Sequence, residues 1–240
     1  MKKAGSKAVS PEFCRPEAFA YVRANLKEVE STEGLVRCVL GVSLHALDDV
    51  RPQQVEEELE RLAGLVRSQC PSANQPGANR TALVTHLHDI LFNQEGFGGS
   101  PPECYYNPLN SYLPAVLTLK HGLPISLGVV YKAVAERLGL TVEGINSRGH
   151  FLLRVQDEQG WLIVDPYHRG RMLTVADACQ LIASIVGEPL ESGERHLPAA
   201  THQQWLQRLI VNLIQVFQAM QLKNDLRAMH ELLLLVEGHM

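Results

Sequence analysis

Apolar residues recur at helical spacing through the first half of the chain. The clearest case is residues 53–70, where Val55, Leu59 and further apolar residues share one side and glutamates occupy the other. Pro52 precedes this segment, at a position where a helix start tolerates proline. Residues 71–79 are rich in proline, serine, asparagine and glycine and are predicted to form a loop. Similar apolar patterns predict helices over residues 18–29, 35–47, 82–92 and 111–119.

The period of the pattern changes in the second half. Ser111 is predicted to cap the short helix there, and Ser126 to open the next helix, which Gly139 ends. Alternating apolar residues then predict strands, with a turn at residues 157–160 between the last two. The predicted strands are residues 141–145, 150–155 and 161–164. The later predicted helices are residues 175–186 and an amphipathic pair within residues 203–236, broken near residues 222–225.

These elements together predict an α+β fold. The chain of 240 residues is long enough for one large domain or two small ones, and its 45% hydrophobic and 20% charged residues are ordinary for a globular protein. The net charge of −4 provides no basic field for phosphate contacts, so we expect no binding to nucleic acid. No apolar run is long enough to cross a bilayer, so we expect no membrane partner.

The cysteines and the N-terminal residues bear on the compartment. The five cysteines are widely spaced and include no Cys-x-x-Cys pair, which predicts free thiols and a reducing, cytoplasmic environment. Met1 is followed by lysines and small residues rather than by the apolar stretch of a signal peptide. We predict a flexible tail over residues 1–13.

The register of the predicted hairpin brings two functional side chains together. If the turn closes symmetrically, Gln156 faces Trp161, and His150 becomes the diagonal same-face neighbour of Asp165. A carboxylate beside an imidazole orients the ring and stabilises its protonated form. The alternative is a surface histidine that lies near Asp165 without a functional role.

Ser126 is the candidate nucleophile for this pair. A hydroxyl at a helix start lies in positive potential, which favours a developing negative charge, although a plain helix cap is the simpler interpretation. We expect no metal site, because His86 and His88 lie two residues apart on a predicted helix and point apart, toward solvent. His168 could border the cleft or be an ordinary loop histidine.

Several short motifs, in order, resemble the SirB1 family of the transglutaminase-like superfamily. The resemblance covers residues 82–186 best and the flanking helices more loosely. The motifs are Phe-Asn-Gln-Glu-Gly-Phe-Gly at residues 92–98, Asn-Ser-Tyr-Leu at 110–113, Gly-Leu-Pro-Ile-Ser-Leu at 122–127, Gly-His-Phe-Leu at 149–152, and Asp-Pro-Tyr at 165–167, followed by Gly170.

The resemblance implies a papain-like arrangement in which a nucleophile helix packs on a small antiparallel sheet. The superfamily order is Cys, His, Asp; here His150 and Asp165 match the last two, and serine stands on or beside the cysteine position, at Ser126. Cys104 is the rival nucleophile, in a proline-rich loop. Asn110 and Tyr112 are predicted to assist at the oxyanion or the cleft. The implied division is a tail over residues 1–13, a helical part over 14–98, the transglutaminase-like core over 99–187, and a helical hairpin over 201–237.

Two functions remain open at this stage. The chain could be a non-catalytic, regulatory module that binds a peptide or protein, a pseudoenzyme that retains its cleft. It could instead be an acyltransferase or an amide or ester hydrolase that uses Ser126, His150 and Asp165. No cofactor is expected. A partner protein is expected at the cleft or at the C-terminal helices, which are either a packed hairpin or a tetratricopeptide-like unit that must dock.

Overall fold

A bundle of helices forms the first half of the protein. The computed structural model describes residues 10–70 and 79–238, so most of the predicted loop at 71–79 and most of the predicted tail lie outside the described residues. A π-helical segment, Asp89–Gln94, continues the fourth helix. The helices of this half are α1 (Pro16–Asn25), α2 (Thr32–Ser43), α3 (Pro52–Gln69), α4 (Arg80–His88), α5 (Leu113–Leu119) and α6 (Pro124–Arg137).

Among the helix starts that differ from their predicted positions, two bear on the candidate site. Helix α6 begins at Pro124 rather than at Ser126, because proline fits the first turn, where its missing N–H is not needed. Ser126 is therefore the third residue of α6 and not its cap. Helix α5 likewise begins after Tyr112, and no side chain caps it, so the predicted cap at Ser111 is wrong.

Five strands form an antiparallel sheet in the order β6-β5-β4-β3-β7. The predicted hairpin register is confirmed, since Gln156 pairs with Trp161 and Leu153 with Val164. Two further short strands, β1 (Gly98–Gly99) and β2 (His121–Gly122), pair in parallel outside this sheet. The strands of the sheet are β3 (Val142–Ile145), β4 (Leu152–Gln156), β5 (Trp161–Asp165), β6 (Arg171–Leu173) and β7 (Ala199–Ala200).

Both faces of the sheet are covered. On one face Phe151 and Leu153 join the main core, together with Trp205, whose indole N–H donates to the carbonyl of Ile125 in α6. On the other face Leu152 packs in a second apolar cluster with α7 (Val175–Val186). The amphipathic stripe of α7 covers this face around Leu152, while Arg154 on the same face stays partly exposed and pairs with Glu143.

The last two helices, α8 (His202–Ala219) and α9 (Lys223–Glu237), pack against each other and against the body. Within the predicted tail, backbone N–H groups of Glu12 and Phe13 donate to the carboxylate of Glu231, which ties these residues to α9. The α+β prediction is confirmed, with helices on both faces of a small antiparallel sheet. Among the described residues no disulfide bond is present, and no helix is long and apolar enough to cross a membrane.

Candidate functional site

The imidazole of His150 and the carboxylate of Asp165 meet at one end of the sheet. Asp165 ends β5, and His150 lies two residues before β4, so the hairpin register brings them together. His150 Nε2 lies 2.9 Å from Asp165 Oδ2, and Asp165 is fully buried. Burial opposes ionisation of Asp165, but the hydrogen bonds and positive charge of His150 and His168 outweigh it and hold its pKa below the ordinary value.

A second histidine binds the same carboxylate oxygen. His168 Nδ1 lies 2.7 Å from Asp165 Oδ2, and the half-exposed ring borders the cleft. The other carboxylate oxygen accepts the backbone N–H groups of Tyr167 and His168, at 3.0 and 3.3 Å. The turn that places His168 closes through Gly170, whose φ of +71° suits glycine and whose N–H donates to the carbonyl of Asp165. The site thus contains two imidazoles around one anchored carboxylate.

A pocket of about 240 Å³ opens beside the two histidines. The start of α6 forms another wall of this pocket, through Pro124 and Ile125, neither of which carries a nucleophilic group. The remaining lining residues are Tyr105, Gly149, Phe151, Tyr167, Ile185, Arg208 and Asn212.

Ser126 does not line this pocket. Its side chain is fully buried, and its hydroxyl donates to the carbonyl oxygens of Asn110, at 2.5 Å, and Leu123, at 3.0 Å. Among the described residues it has no hydrogen bond to His150. A serine nucleophile needs a general base within hydrogen-bond reach. The structure brings His150 and Asp165 together but leaves Ser126 apart from them.

The assisting residues also lie outside the pocket lining. The side-chain amide of Asn110 donates to the carbonyls of Cys104 and Tyr105 and organises the loop before α5. Tyr112 is buried, and burial raises the pKa of its phenol. Cys104 is partly exposed, but it is the neighbouring Tyr105 that reaches the pocket.

Arg208 is a pocket residue that the sequence analysis missed. Its guanidinium donates to the carbonyl of His150, at 3.0 Å, and also to Ser147 and Asn146. No carboxylate of the described residues lies within ion-pair distance of it, and burial lowers its pKa. The apolar stripe of its helix gave no sign of this position, because contact with the hairpin depends on how α8 docks.

One of the two histidines in α4, His88, departs from the predicted solvated face. His88 Nε2 lies 2.9 Å from the hydroxyl of Tyr131, and the ring packs edge-on against Phe92 and Tyr131. Burial lowers the pKa of His88 to about 4. His88 is therefore a packing residue at the junction of α4 and α6.

A wider groove of about 720 Å³ lies between the segment after α2 and helix α5. Its charged lining residues include Glu58 and Lys120, which pair with each other at 2.9 Å and with neighbours. We place the functional site at the smaller pocket, because two histidines that share a buried carboxylate converge there with Arg208.

Comparison with known proteins gives consistent matches. The model of the transglutaminase-like superfamily matches residues 53–211. A UPF0162 protein of Xylella fastidiosa is 35% identical over 134 residues, which are 55% of this chain and 47% of that protein. The UPF0162 protein PA3419 of Pseudomonas aeruginosa is 37% identical over 185 residues, 77% of this chain and 65% of that protein.

A eukaryotic relative is also similar. The human F-box only protein 21 is 31% identical over 150 residues, which are 57% of this chain and 22% of that protein. The chain spans about half the length of the Xylella relatives and less of the F-box proteins. No solved structure matches the chain significantly.

Proposed function

We propose that the chain, which belongs to the transglutaminase-like superfamily, is a non-catalytic module that binds a partner protein. Its resemblance to the SirB1 family had predicted the superfamily. The observation that carries the proposal is the pocket wall at the start of α6, which consists of Pro124 and Ile125. Ser126, the nearest hydroxyl of that helix, is buried and engaged with carbonyl oxygens. The cleft therefore keeps its acid–base pair beside a surface that offers no attacking group.

The pocket chemistry favours a ligand that joins a carboxylate to an apolar group. Arg208 presents a positive charge that no acidic side chain of the described chain neutralises. Tyr105 and Ile185, 43% and 46% exposed, form an apolar rim beside it. Isolated exposed apolar residues are ordinary, but apolar residues that rim a charged pocket are typical of an interaction site. At about 240 Å³, the pocket suits one or two side chains of a peptide rather than a larger ligand.

The experiment compares two capped dipeptides that differ in one charge, acetyl-Leu-Glu-amide and acetyl-Leu-Gln-amide, titrated into isotope-labelled protein and followed by NMR. We expect the Glu peptide to shift the signals of pocket residues and the Gln peptide to bind more weakly, since only the former pairs with Arg208. Tyr105→Ala should weaken both peptides, because it removes rim contact without touching the charge.

Arg208→Gln should abolish the preference for the Glu peptide. Arg148→Gln is the matched control, since Arg148 is exposed and pairs with Glu188 outside this pocket. Thermal melts of both variants separate loss of binding from loss of folding. Equal binding of the two peptides, or no binding of either, would contradict the proposal.

The alternative is the hydrolase, which the His150–Asp165 hydrogen bond of 2.9 Å favours. A broad fluorophosphonate probe decides between the two. We expect no labelling of the parent protein. Labelling that Ser126→Ala removes would establish the hydrolase, and labelling that Cys104→Ser removes would identify the rival nucleophile.

We also propose where the partner protein binds. The cleft is the preferred contact, and the α8–α9 hairpin is a second candidate because Met220, Leu222 and Leu234 are exposed on it. A tetratricopeptide-like role of that hairpin, a regulatory role and a cytoplasmic location stay predictions.

A further inference from the structure

Three potential metal ligands converge at the rim of the pocket. They are His150 Nε2, His168 Nδ1 and Asp165 Oδ2, and these atoms all lie within 4.8 Å of one another. From this geometry we infer that the cluster binds one divalent transition-metal ion of the zinc type. The spacing of residues did not predict this site, since His86 and His88 point apart and nothing in the sequence places His168 beside the His150–Asp165 pair.

The distances are close to those of a coordination sphere. Zinc lies about 2.0–2.2 Å from histidine nitrogen and carboxylate oxygen, so tetrahedral ligands are about 3.4 Å apart. The two nitrogen–oxygen distances here are 2.9 and 2.7 Å. Both nitrogen–oxygen distances must therefore lengthen by about half an ångström when the metal binds. The half-exposed ring of His168 can move most, and the buried His150 needs only a small shift.

The surroundings hold the ligands in orientation. Asp165 Oδ1 is held by two backbone N–H groups, which leaves Oδ2 directed at the histidines. Such contacts behind a ligand raise metal affinity by fixing its orientation. The rings of His150 and His168 lie 6.0 Å apart between centroids, and both contact the same carboxylate oxygen.

Proton balance is satisfied without another reactant. The two ring nitrogens that face Asp165 give up their protons when the metal binds. In a neutral imidazole the proton moves to the other ring nitrogen, and an imidazolium releases one proton to solvent. Affinity should therefore fall as the histidines become protonated at acid pH.

Ligand type narrows the choice of ion. Two imidazoles and one carboxylate suit zinc, iron, cobalt, nickel or copper better than calcium or magnesium, which prefer oxygen ligands. Because both histidines line the pocket, the remaining coordination positions face it. Arg208 also lines the pocket, and its positive charge repels a metal ion bound there. We therefore expect micromolar rather than nanomolar affinity.

The test uses the full chain after treatment with a chelator and its removal, with metal as the only ligand. Zinc is titrated by calorimetry near neutral pH, and cobalt by its visible absorption, which reports coordination geometry. We expect one ion per chain. His168→Ala should weaken binding by at least about tenfold through the loss of one ligand, whereas His230→Ala should not, since His230 is exposed on α9.

Circular dichroism of His168→Ala excludes unfolding, and His168→Asn provides a second variant should the first be unstable. No binding of either ion at millimolar concentration would overturn the inference. Unchanged binding by His168→Ala would also overturn it, because the ion would then lie elsewhere. The metal titration contains no peptide, so its result does not depend on peptide binding. Either proposal can therefore fail while the other stands.

Discussion

The two walls of the pocket differ in what holds them together. On one wall, hydrogen bonds to a buried carboxylate organise Asp165, His150 and His168. On the other wall, at the start of α6, a proline and an isoleucine face the cleft, and the nearest serine hydroxyl is turned inward to carbonyl oxygens. One wall keeps chemically active groups, and the other holds its polar group away from the cleft.

The difference shows that a histidine–carboxylate pair can line a pocket to which the adjoining helix start contributes no hydroxyl or thiol. The histidine–carboxylate wall is useful for binding as well as for catalysis, because it offers charge, hydrogen bonds and metal ligands. A helix start without a reactive side chain is useful only for shape and for its positive potential. The following predictions test the contrast between the two walls, from the largest expected effect to the smallest.

The first prediction concerns the carboxylate. Asp165→Asn should lower the free energy of unfolding by about 3 kcal/mol, because it removes the charge from a buried, hydrogen-bonded network. Urea denaturation at neutral pH measures the change. Asp48→Asn is the control, because Asp48 pairs with Arg15 while 82% exposed, and it should cost less than about 1 kcal/mol. Similar losses of unfolding free energy in the two variants would show that the hydrogen bonds to Asp165 do not stabilise this wall.

The second prediction concerns the helix start. In a Cys104→Ser background, Pro124→Cys should react with iodoacetamide at least about tenfold faster than Ser126→Cys, since exposure and a helix N-terminus promote thiolate reactivity. Pro124 lines the pocket, whereas Ser126 is fully buried. Mass spectrometry over time gives both rates. Faster labelling at position 126 would mean that this side chain does reach the cleft.

The third prediction separates the two walls by pH. Burial lowers the pKa of His88, which packs against α6, to about 4 from an ordinary 6.5. Protonation therefore favours the unfolded chain, and stability falls as pH drops from 6.5 toward 4, by about 2 kcal/mol. His88→Gln, which cannot titrate, should lose this part of the acid sensitivity when urea denaturation is repeated across the range.

Asp165 should respond in a different window. Its pKa is depressed in the folded protein, so its contribution is present above the ordinary value of 3.8 and is lost only as pH falls through the lower, folded value. The difference between the parent and Asp165→Asn should therefore not decrease between pH 6.5 and 4, because the carboxylate stays ionised over that range. A difference that follows the titration of His88 would contradict this assignment.

Local pattern was enough to predict much of this architecture. Helical spacing predicted α3 within one residue at each end, and α7 at both ends, because amphipathic stripes of that length have one stable packing. The hairpin register predicted the contact between His150 and Asp165, because side chains alternate along strands and a short turn sets the pairing. These features depend on residues close in sequence or paired across one turn.

Only the tertiary structure decided which side chains reach the pocket. Arg208 enters it because α8 docks beside the hairpin, and His168 joins the carboxylate because a left-handed turn at Gly170 folds back on it. Ser126 is excluded because α6 starts two residues earlier and its third residue faces the loop of Asn110. The direction of a side chain depends on how its element packs against its neighbours. These contacts join segments far apart in the chain, so the spacing of apolar residues cannot predict them.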